Sequence, residues 1–255
     1  MQKNKTTAEF ITGKNAILEC LKAGRSINYI MIVKTQKNKK ILELISQKSK
    51  EKIPIRVTNT RKFYNLFGAK HQNIAANVSV KKYVLVEDIL AKAKLKNEPE
   101  FIVICDCIED PYNLGSIIRS AECAGVHGII IPSRHSASLN FTVEKASAGA
   151  LEHILVARVT NLVSTVKFLK KQGIFVYGTD VCGENFYNKK TCLTNSTALV
   201  VGNEGKGISQ LLKKNCDEIF CIPMYGKIQS LNVSVATGIL LYEFKRARVK
   251  SEIIN

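Results

Sequence analysis

Three short stretches of this chain combine glycine with side chains that can hold or activate a ligand. The first, Asp110 to Arg119, reads DPYNLGSIIR. Pro111 and Gly115 shape a turn, Asn113 offers an amide, and Arg119 lies among Ile117, Ile118, Ala121 and Ala124, an apolar setting for a guanidinium. The second, Gly202 to Gly207, reads GNEGKG and follows an apolar run. Its glycines let backbone approach a ligand closely, and Glu204 is the one carboxylate among them. It is not a Walker A loop, which needs four residues between its glycines and a hydroxyl after the lysine, nor does it read GxGxxG. The third, Ile222 to Phe244, runs from Pro223 through Gly226, Gln229 and Ser230 into a helix that starts near Asn232. Ser230 is placed as its N-cap, with Asn232 in or beside the first turn. A hydroxyl, an amide and unpaired backbone N–H groups thus meet at one helix mouth, where polar or anionic ligands bind well. Each stretch alone also reads as a capped helix, a surface cation or a plain turn. Together they are three polar loops, each after an apolar strand.

The elements that must position them follow a repeating pattern. Phe101 to Cys105 is a continuous apolar strand, and a helix runs from about Leu114 to Ala124, closed by Gly125. Strands follow at His127 to Pro132, His153 to Val159, Ile174 to Gly178, Ala198 to Gly202 and Ile219 to Ile222. Helices are expected at Thr142 to Ala150, Leu162 to Lys171 and Ser209 to Asn215, and the last carries Val233, Ala236, Ile239, Leu240 and Phe244 at helical spacing. Repeated βα units with fully apolar strands indicate a parallel sheet covered on both faces, whose ligands sit at the carboxyl ends of the strands. Loops from neighbouring strands would then converge.

Upstream lies a smaller α/β alternation. Gly13 to Leu21, Lys37 to Lys50 and Thr60 to Phe67 read as helices; Ile27 to Val33, Ile53 to Val57 and Ile74 to Val80 read as strands. Residues 1–84 hold 18 Lys and Arg against 4 Asp and Glu, so +14 of the chain's formal charge of +17 sits there. Lys37, Lys39, Lys40, Lys48, Lys50, Lys52, Arg56, Arg61 and Lys62 carry that charge on exposed faces, where it would track phosphates without reading bases. A lysine-rich coding bias would raise both halves alike, and the second half is raised far less. Residues 85–100 are polar and read as a short amphipathic helix plus a linker.

Composition narrows the class. Hydrophobic residues are 45% and charged residues 23%, the balance of a soluble globular protein. No apolar run is long enough to span a bilayer, and the N-terminus lacks the core of a secretory signal, so a cytoplasmic protein is expected. The eight cysteines are expected to be reduced and mostly buried, with Cys105, Cys107, Cys123 and Cys221 in apolar runs. Their spacing suits neither a redox CxxC nor a zinc site, and no metal is expected.

The three stretches resemble the motifs of the SpoU/TrmH family of RNA ribose 2′-O-methyltransferases, in the SPOUT superfamily. Motif one is matched at Asn113, Gly115 and Arg119; motif two at Gly202, Glu204, Gly205 and Gly207; motif three at Ile222, Pro223, Met224, Gly226 and Ser230 to Ser234. The likeness spans residues 100–245. The N-terminal unit resembles the family's ribosomal-protein-like RNA-binding domain at Gly13 to Leu21 and His71 to Ala75, with Asn73 where the family usually has glycine. Residues Ala157 to Leu162 and the layout most resemble the branch that modifies a guanosine of 23S ribosomal RNA.

The resemblance implies an RNA-binding domain over 1–84, a linker over 85–100 and a SPOUT methyltransferase domain over 101–255. That domain is α/β, with a mostly parallel sheet and a deep trefoil knot. S-adenosylmethionine would bind bent in the knot, with backbone near Thr179, Gly202, Ile222 and Leu231 lining its adenine and ribose. The enzyme would be a homodimer with the site near the interface. Arg119 would hold the ribose phosphate and stabilise the developing oxyanion; Asn113, Ser230 and Asn232 would orient the hydroxyl and Arg119; Glu204 would fix Arg119 or a loop. Alternatives are a transfer-RNA ribose methyltransferase of the same family and a non-catalytic RNA-binding protein with this fold. A Rossmann-type enzyme would need glycines after Phe101 to Cys105, and Asp-Cys-Ile-Glu-Asp-Pro stands there instead.

Overall fold

The computed structural model describes residues 9–25, 27–33, 42, 43, 45, 53–68, 72–78, 81–188 and 193–254. Most of the helix expected over 37–50 lies outside them, as do Lys37, Lys39, Lys40, Lys48, Lys50, Lys52 and His71. The chain forms two compact units: Met1–Lys82 with Leu139–His153, and Tyr83–Ser138 with Ile154–Asn255.

In the first unit, β1 (Glu9–Thr12), α1 (Lys14–Lys22), β2 (Ile27–Val33), β3 (Ile55–Thr58), α2 (Thr60–Phe67) and β4 (Ile74–Val78) build a sheet of order β1-β4-β2-β3. Only the β2–β3 pair is parallel. Alternation along the strands splits the core in two. Ile30, Ile32, Ile74, Ala76 and Val78 pack with Ile17 and Cys20 of α1, whereas Val33 and Ala75 pack with Phe63 and Phe67 of α2. Each such large side chain contributes about 1.5–3 kcal/mol by leaving water. Asn73 is left-handed at φ 57, as a residue standing in for glycine must be. Strand β1 was not legible, because EFIT is short and its place is decided by antiparallel pairing with β4.

The segment 139–153 holds a short helix, Phe141–Ala146, then a 3-10 turn, Ala150–Glu152. One helix over Thr142 to Ala150 was expected; positive φ at Ala148 (52°) and Gly149 (97°) breaks it. Arg25 donates from Nη1 to Glu144 and, at 2.6 Å, to Glu152, and Lys81 Nζ donates to the Glu152 carbonyl at 3.2 Å. The Arg25, Glu144 and Glu152 side chains are 6%, 4% and 3% exposed. Burial opposes the charge on Arg25, but its two carboxylates outweigh that and hold its pKa above the usual value.

The second unit holds α3 (Val86–Leu95), β5 (Phe101–Cys105), α4 (Pro111–Cys123), β6 (Gly128–Pro132), β7 (Leu155–Val159), α5 (Leu162–Lys171), β8 (Phe175–Asn185), β9 (Thr197–Val201), α6 (Gln210–Lys213), β10 (Glu218–Cys221) and α7 (Val233–Ile254). Six strands form one sheet of order β10-β8-β9-β5-β6-β7, and every pairing is parallel. Strands β5 and β9 are buried along their whole length, which is why they read as unbroken apolar runs. On one face Ile102, Ile104, Val176 and Val200 pack with Ile89 of α3 and Val166 and Leu169 of α5. Elsewhere in the unit α4 packs on α7, and Phe244 lies 5.9 Å from Phe101 and 5.4 Å from Tyr177, ring to ring. Strand β8 runs past its expected end at Gly178; a Cβ on Gly183 would lie 2.5 Å from the Phe220 backbone, so only glycine permits this crossing.

Of the seven described cysteines, all free, Cys20 and Cys105 are buried, Cys107, Cys216 and Cys221 are half-buried, and Cys123 and Cys182 are exposed. Mostly buried thiols were expected; apolar neighbours in sequence do not fix which face of a helix or which end of a strand a cysteine occupies. Burial pushes the Cys20, Cys105 and Cys216 thiols up to about 12. Among the described residues no group of His, Cys, Asp and Glu side chains is placed to hold a metal ion.

Candidate active site

The three polar loops all leave the carboxyl ends of parallel strands. Loop one follows β5 and opens α4, where the Asp110 side chain caps the helix by accepting from the Tyr112 N–H at 2.9 Å, with Pro111 in the first turn. Loop two follows β9. The Asn203 and Gly207 backbones bond each other, and Asn203 Oδ1 accepts from the Gly205 N–H at 2.9 Å and the Lys206 N–H at 3.3 Å. Gly207 is left-handed at φ 64, and a Cβ on Gly202 would lie 2.2 Å from the Gly207 carbonyl carbon, so no other residue fits at 202. Loop three follows β10 and opens α7.

Asn232, not Ser230, caps α7. Its Oδ1 accepts from the Ser234 N–H (3.0 Å), the Ser234 hydroxyl (2.6 Å) and the Val235 N–H (3.4 Å), and its carbonyl takes the first helical bond from Ala236. Ser230 stands two residues too early and is exposed. Both residue types cap helices, so composition could not choose; the first helical turn did.

The same Asn232 joins the other two loops. Its Nδ2 donates to Asn113 Oδ1 at 3.0 Å and to Glu204 Oε1. Asn113 Nδ2 donates to Glu204 Oε1 at 3.2 Å, and the Val233 N–H points at the same oxygen at 3.4 Å. One carboxylate oxygen thus gathers donors from loop one, loop three and the positive end of α7. Both N–H bonds of the Asn232 amide are used, whereas the Asn113 amide keeps one free. No described residue donates to Glu204 Oε2. Strands β5 and β9 are neighbours, but β8 separates β9 from β10, so adjacency does not explain the meeting. Loop three instead carries the chain back to bring the α7 terminus to Glu204.

Beside this cluster opens a cleft of about 230 Å³. Thr179, Gly202, Ile222 and Leu231 all line it, with Glu204 and Ser230. Phe220, Val233 and Leu240 give it an apolar wall. Asp180 supplies a second carboxylate: its Oδ1 accepts from the Cys182 N–H at 2.9 Å, and its Oδ2 pairs with Lys213 at 2.9 Å. Partial burial disfavours its charge, but the Cys182 N–H and Lys213 prevail and hold its pKa below the usual value.

Arg119 stands apart. It is exposed and forms no hydrogen bond or ion pair with any described residue, so the apolar setting expected from its neighbours is not its environment. Ile117 and Ile118 turn inward on the helix and Arg119 turns out. Of the two partners expected for Glu204, it holds a loop, bonding Asn113 and Asn232, and among the described residues it makes no bond to Arg119. Three residues escaped notice in the sequence. Asp106 is buried and its Oδ2 accepts from the Ser209 N–H at 2.8 Å, Asn203 Nδ2 reaches the Cys107 carbonyl at 3.2 Å, and Asp180 lines the cleft. Each is a polar residue within two positions of an apolar strand segment, the signal that could have found them.

A family model described as the SpoU rRNA Methylase family matches residues 100–242, and one for RNA 2′-O ribose methyltransferase substrate binding matches residues 10–84. YacO of Bacillus subtilis (strain 168), assigned to the TrmH family of tRNA/rRNA methyltransferases, is 42% identical over 94% of this chain and 96% of its own. The AdoMet complex of the SpoU methyltransferase AviRb from Streptomyces viridochromogenes superposes with a TM-score of 0.81 at 24% identity, over 98% of this chain and 94% of that one. An AdoMet-bound rRNA methyltransferase from Sinorhizobium meliloti gives 0.77 at 23%, over 96% and 89%. At such identities these two solved structures establish a shared fold.

Proposed function

This chain belongs to the SpoU rRNA methylase family of RNA methyltransferases, of the TrmH kind, and we propose that it carries a methyl group from S-adenosylmethionine to a ribose 2′-hydroxyl of structured RNA. We assign a guanosine of 23S ribosomal RNA as the target, and a cytoplasmic homodimer as the working form. The observation that carries the reading is the convergence of Asn113, Glu204 and Asn232 on one carboxylate oxygen at the edge of the cleft.

The cleft suits the donor. Phe220, Ile222, Leu231 and Leu240 offer an apolar wall to the adenine. Gly202 and Thr179 also line the cleft, and backbone there would hold the ribose. Asp180 and Glu204 line the cleft, and their carboxylates would favour a ligand whose sulfonium is a fixed cation. When bound, the donor supplies an electrophilic methyl group on sulfur.

The chain's own residues must then deliver the hydroxyl. A ribose 2′-OH is a weak acid and needs a proton acceptor to attack at neutral pH. Glu204 Oε2, to which no described residue donates, is the acceptor within the cluster, while Oε1 is locked by Asn113, Asn232 and Val233. The remaining N–H of Asn113 orients the hydroxyl oxygen, and the unengaged Ser230 hydroxyl borders the same space. Arg119, a guanidinium that bonds no described residue, holds an RNA phosphate and screens the developing oxyanion.

The match of residues 10–84 to a substrate-binding family and the charge of +14 over residues 1–84 support RNA as the partner. The name of the B. subtilis relative covers transfer RNA as well, which makes tRNA the second reading. Incubating the protein and donor with purified ribosomal and transfer RNA, then mapping ribose methylation by mass spectrometry, decides between them. Methylation of neither would sink the proposal.

A further inference from the structure

Two tyrosines stand in solvent on loops that carry the site. Tyr112 precedes Asn113 in the first turn of α4 and is 65% exposed; Tyr225 follows Met224 of the cleft wall in loop three and is 92% exposed. Among the described residues neither ring contacts another aromatic ring or a cation, and neither hydroxyl forms a bond. The other described tyrosines with comparable exposure, Tyr64, Tyr187 and Tyr242, lie outside these loops. Leaving two bare aromatic rings beside a polar cluster gives up burial that elsewhere in the unit drives packing, as in the Tyr177–Phe220 stack at 4.8 Å.

We propose that Tyr112 and Tyr225 are stacking platforms for unpaired bases next to the methylated ribose. This rests on the RNA methyltransferase reading above. Consecutive Cα atoms are about 3.8 Å apart, so the Tyr112 ring is anchored one residue from the Asn113 amide. A ribose held at Asn113 and Glu204 therefore brings its own or an adjacent base within reach of that ring. Tyr225 follows Met224, which lines the cleft. An in-line attack requires the 2′-hydroxyl to leave a helical groove, and splayed bases then need a new surface to stack on. A flat ring accepts any base, since every base has a π-face, so the platforms supply grip and orientation without sequence readout. This complements the first unit, whose lysines and arginines track phosphates.

The test uses the full chain and 2-aminopurine, whose emission falls when it stacks. The probe is the RNA that wild type methylates, labelled beside the target; if wild type methylates none, a labelled oligoadenylate replaces it, so that failure of the activity and failure of the platform are read separately. Binding to wild type should quench the probe. Tyr112→Ala and Tyr225→Ala should each lose quenching and raise the RNA KM or Kd about tenfold, the scale of one lost base stack. Their S-adenosylmethionine affinity should stay unchanged by calorimetry, and Tyr112→Phe and Tyr225→Phe should restore quenching. Undiminished quenching in both alanine variants overturns the proposal. So does a phenylalanine variant as weak as its alanine counterpart, or an alanine variant that only shifts the oligomeric state by light scattering.

Discussion

The amide nitrogen of Asn232 lies 3.0 Å from the amide oxygen of Asn113, a residue 119 positions earlier in the chain. That contact and the shared carboxylate of Glu204 tie the start of α7 to the start of α4. Asn232 therefore has two duties, capping a helix and bridging the cluster, and they can be separated. Asn232→Ala should lose about 1 kcal/mol of stability with the cap and roughly 100-fold in single-turnover rate with the bridge. Asn232→Ser restores a capping oxygen but cannot reach both partners, so stability should return in urea titrations while the rate stays low. Full turnover in the serine variant would remove the bridge from the mechanism.

Arg119 is exposed and bonds no described residue, so its replacement should leave the fold intact. Arg119→Ala should bind S-adenosylmethionine as wild type does in calorimetry and lose turnover by roughly 100-fold or more, the scale of losing an oxyanion donor. Unchanged turnover would exclude it from the reaction.

Charge in the first unit should be read out by salt. Arg61 and Lys62 are exposed on α2. The double variant Arg61→Glu and Lys62→Glu should weaken RNA binding irrespective of sequence and flatten the log-affinity slope against log salt by about 1–2. An identical slope would exclude α2 from the phosphate-tracking surface. Deleting residues 1–84 is a poorer test, because it strips Glu144 and Glu152 of the later segment of their Arg25 partner.

That cluster yields its own prediction. Arg25→Met leaves two buried carboxylates without their guanidinium and should cost about 3–5 kcal/mol in chemical denaturation. Adding Glu144→Gln and Glu152→Gln should recover much of it, since the penalty lies in the orphaned charges. Failure to recover would point to lost packing of the Arg25 stem.

His127 sets a pH dependence. Its Nδ1 accepts from the Phe101 N–H at 3.0 Å, and its Nε2, 3.0 Å from Glu98, then carries the proton and donates. Burial lowers its pKa and outweighs the pull of Glu98. The unfolded chain takes up a proton near its ordinary value of about 6.5 and the folded chain only at lower pH, so stability is whole above that value and declines as pH falls through and below it. His127→Asn, whose side-chain carbonyl can replace Nδ1 as acceptor, should flatten the fall in Tm between about pH 7.5 and 5.5. Equal slopes in the two proteins would refute the assignment.

Much of the molecule was written in local pattern. The strands Phe101–Cys105 and Thr197–Val201 are apolar without interruption because a parallel sheet buries both faces, and glycine at 202 is demanded by a backbone 2.2 Å from where a Cβ would sit. Such features need only neighbours in sequence, so residue order by itself set the βα alternation, the basic first third and the membership of three polar loops in one site. It could not place β1, whose four residues gain an identity only by pairing with β4. Nor could it say that β8 lies between β9 and β10, that Asn232 rather than Ser230 caps α7, or that Arg119 is exposed and makes no bond to Glu204. Those outcomes depend on which side of a helix turns inward and on hydrogen bonds across a hundred residues. Spacing along a chain carries no record of such contacts; the packed sheet and its returning helix decide them.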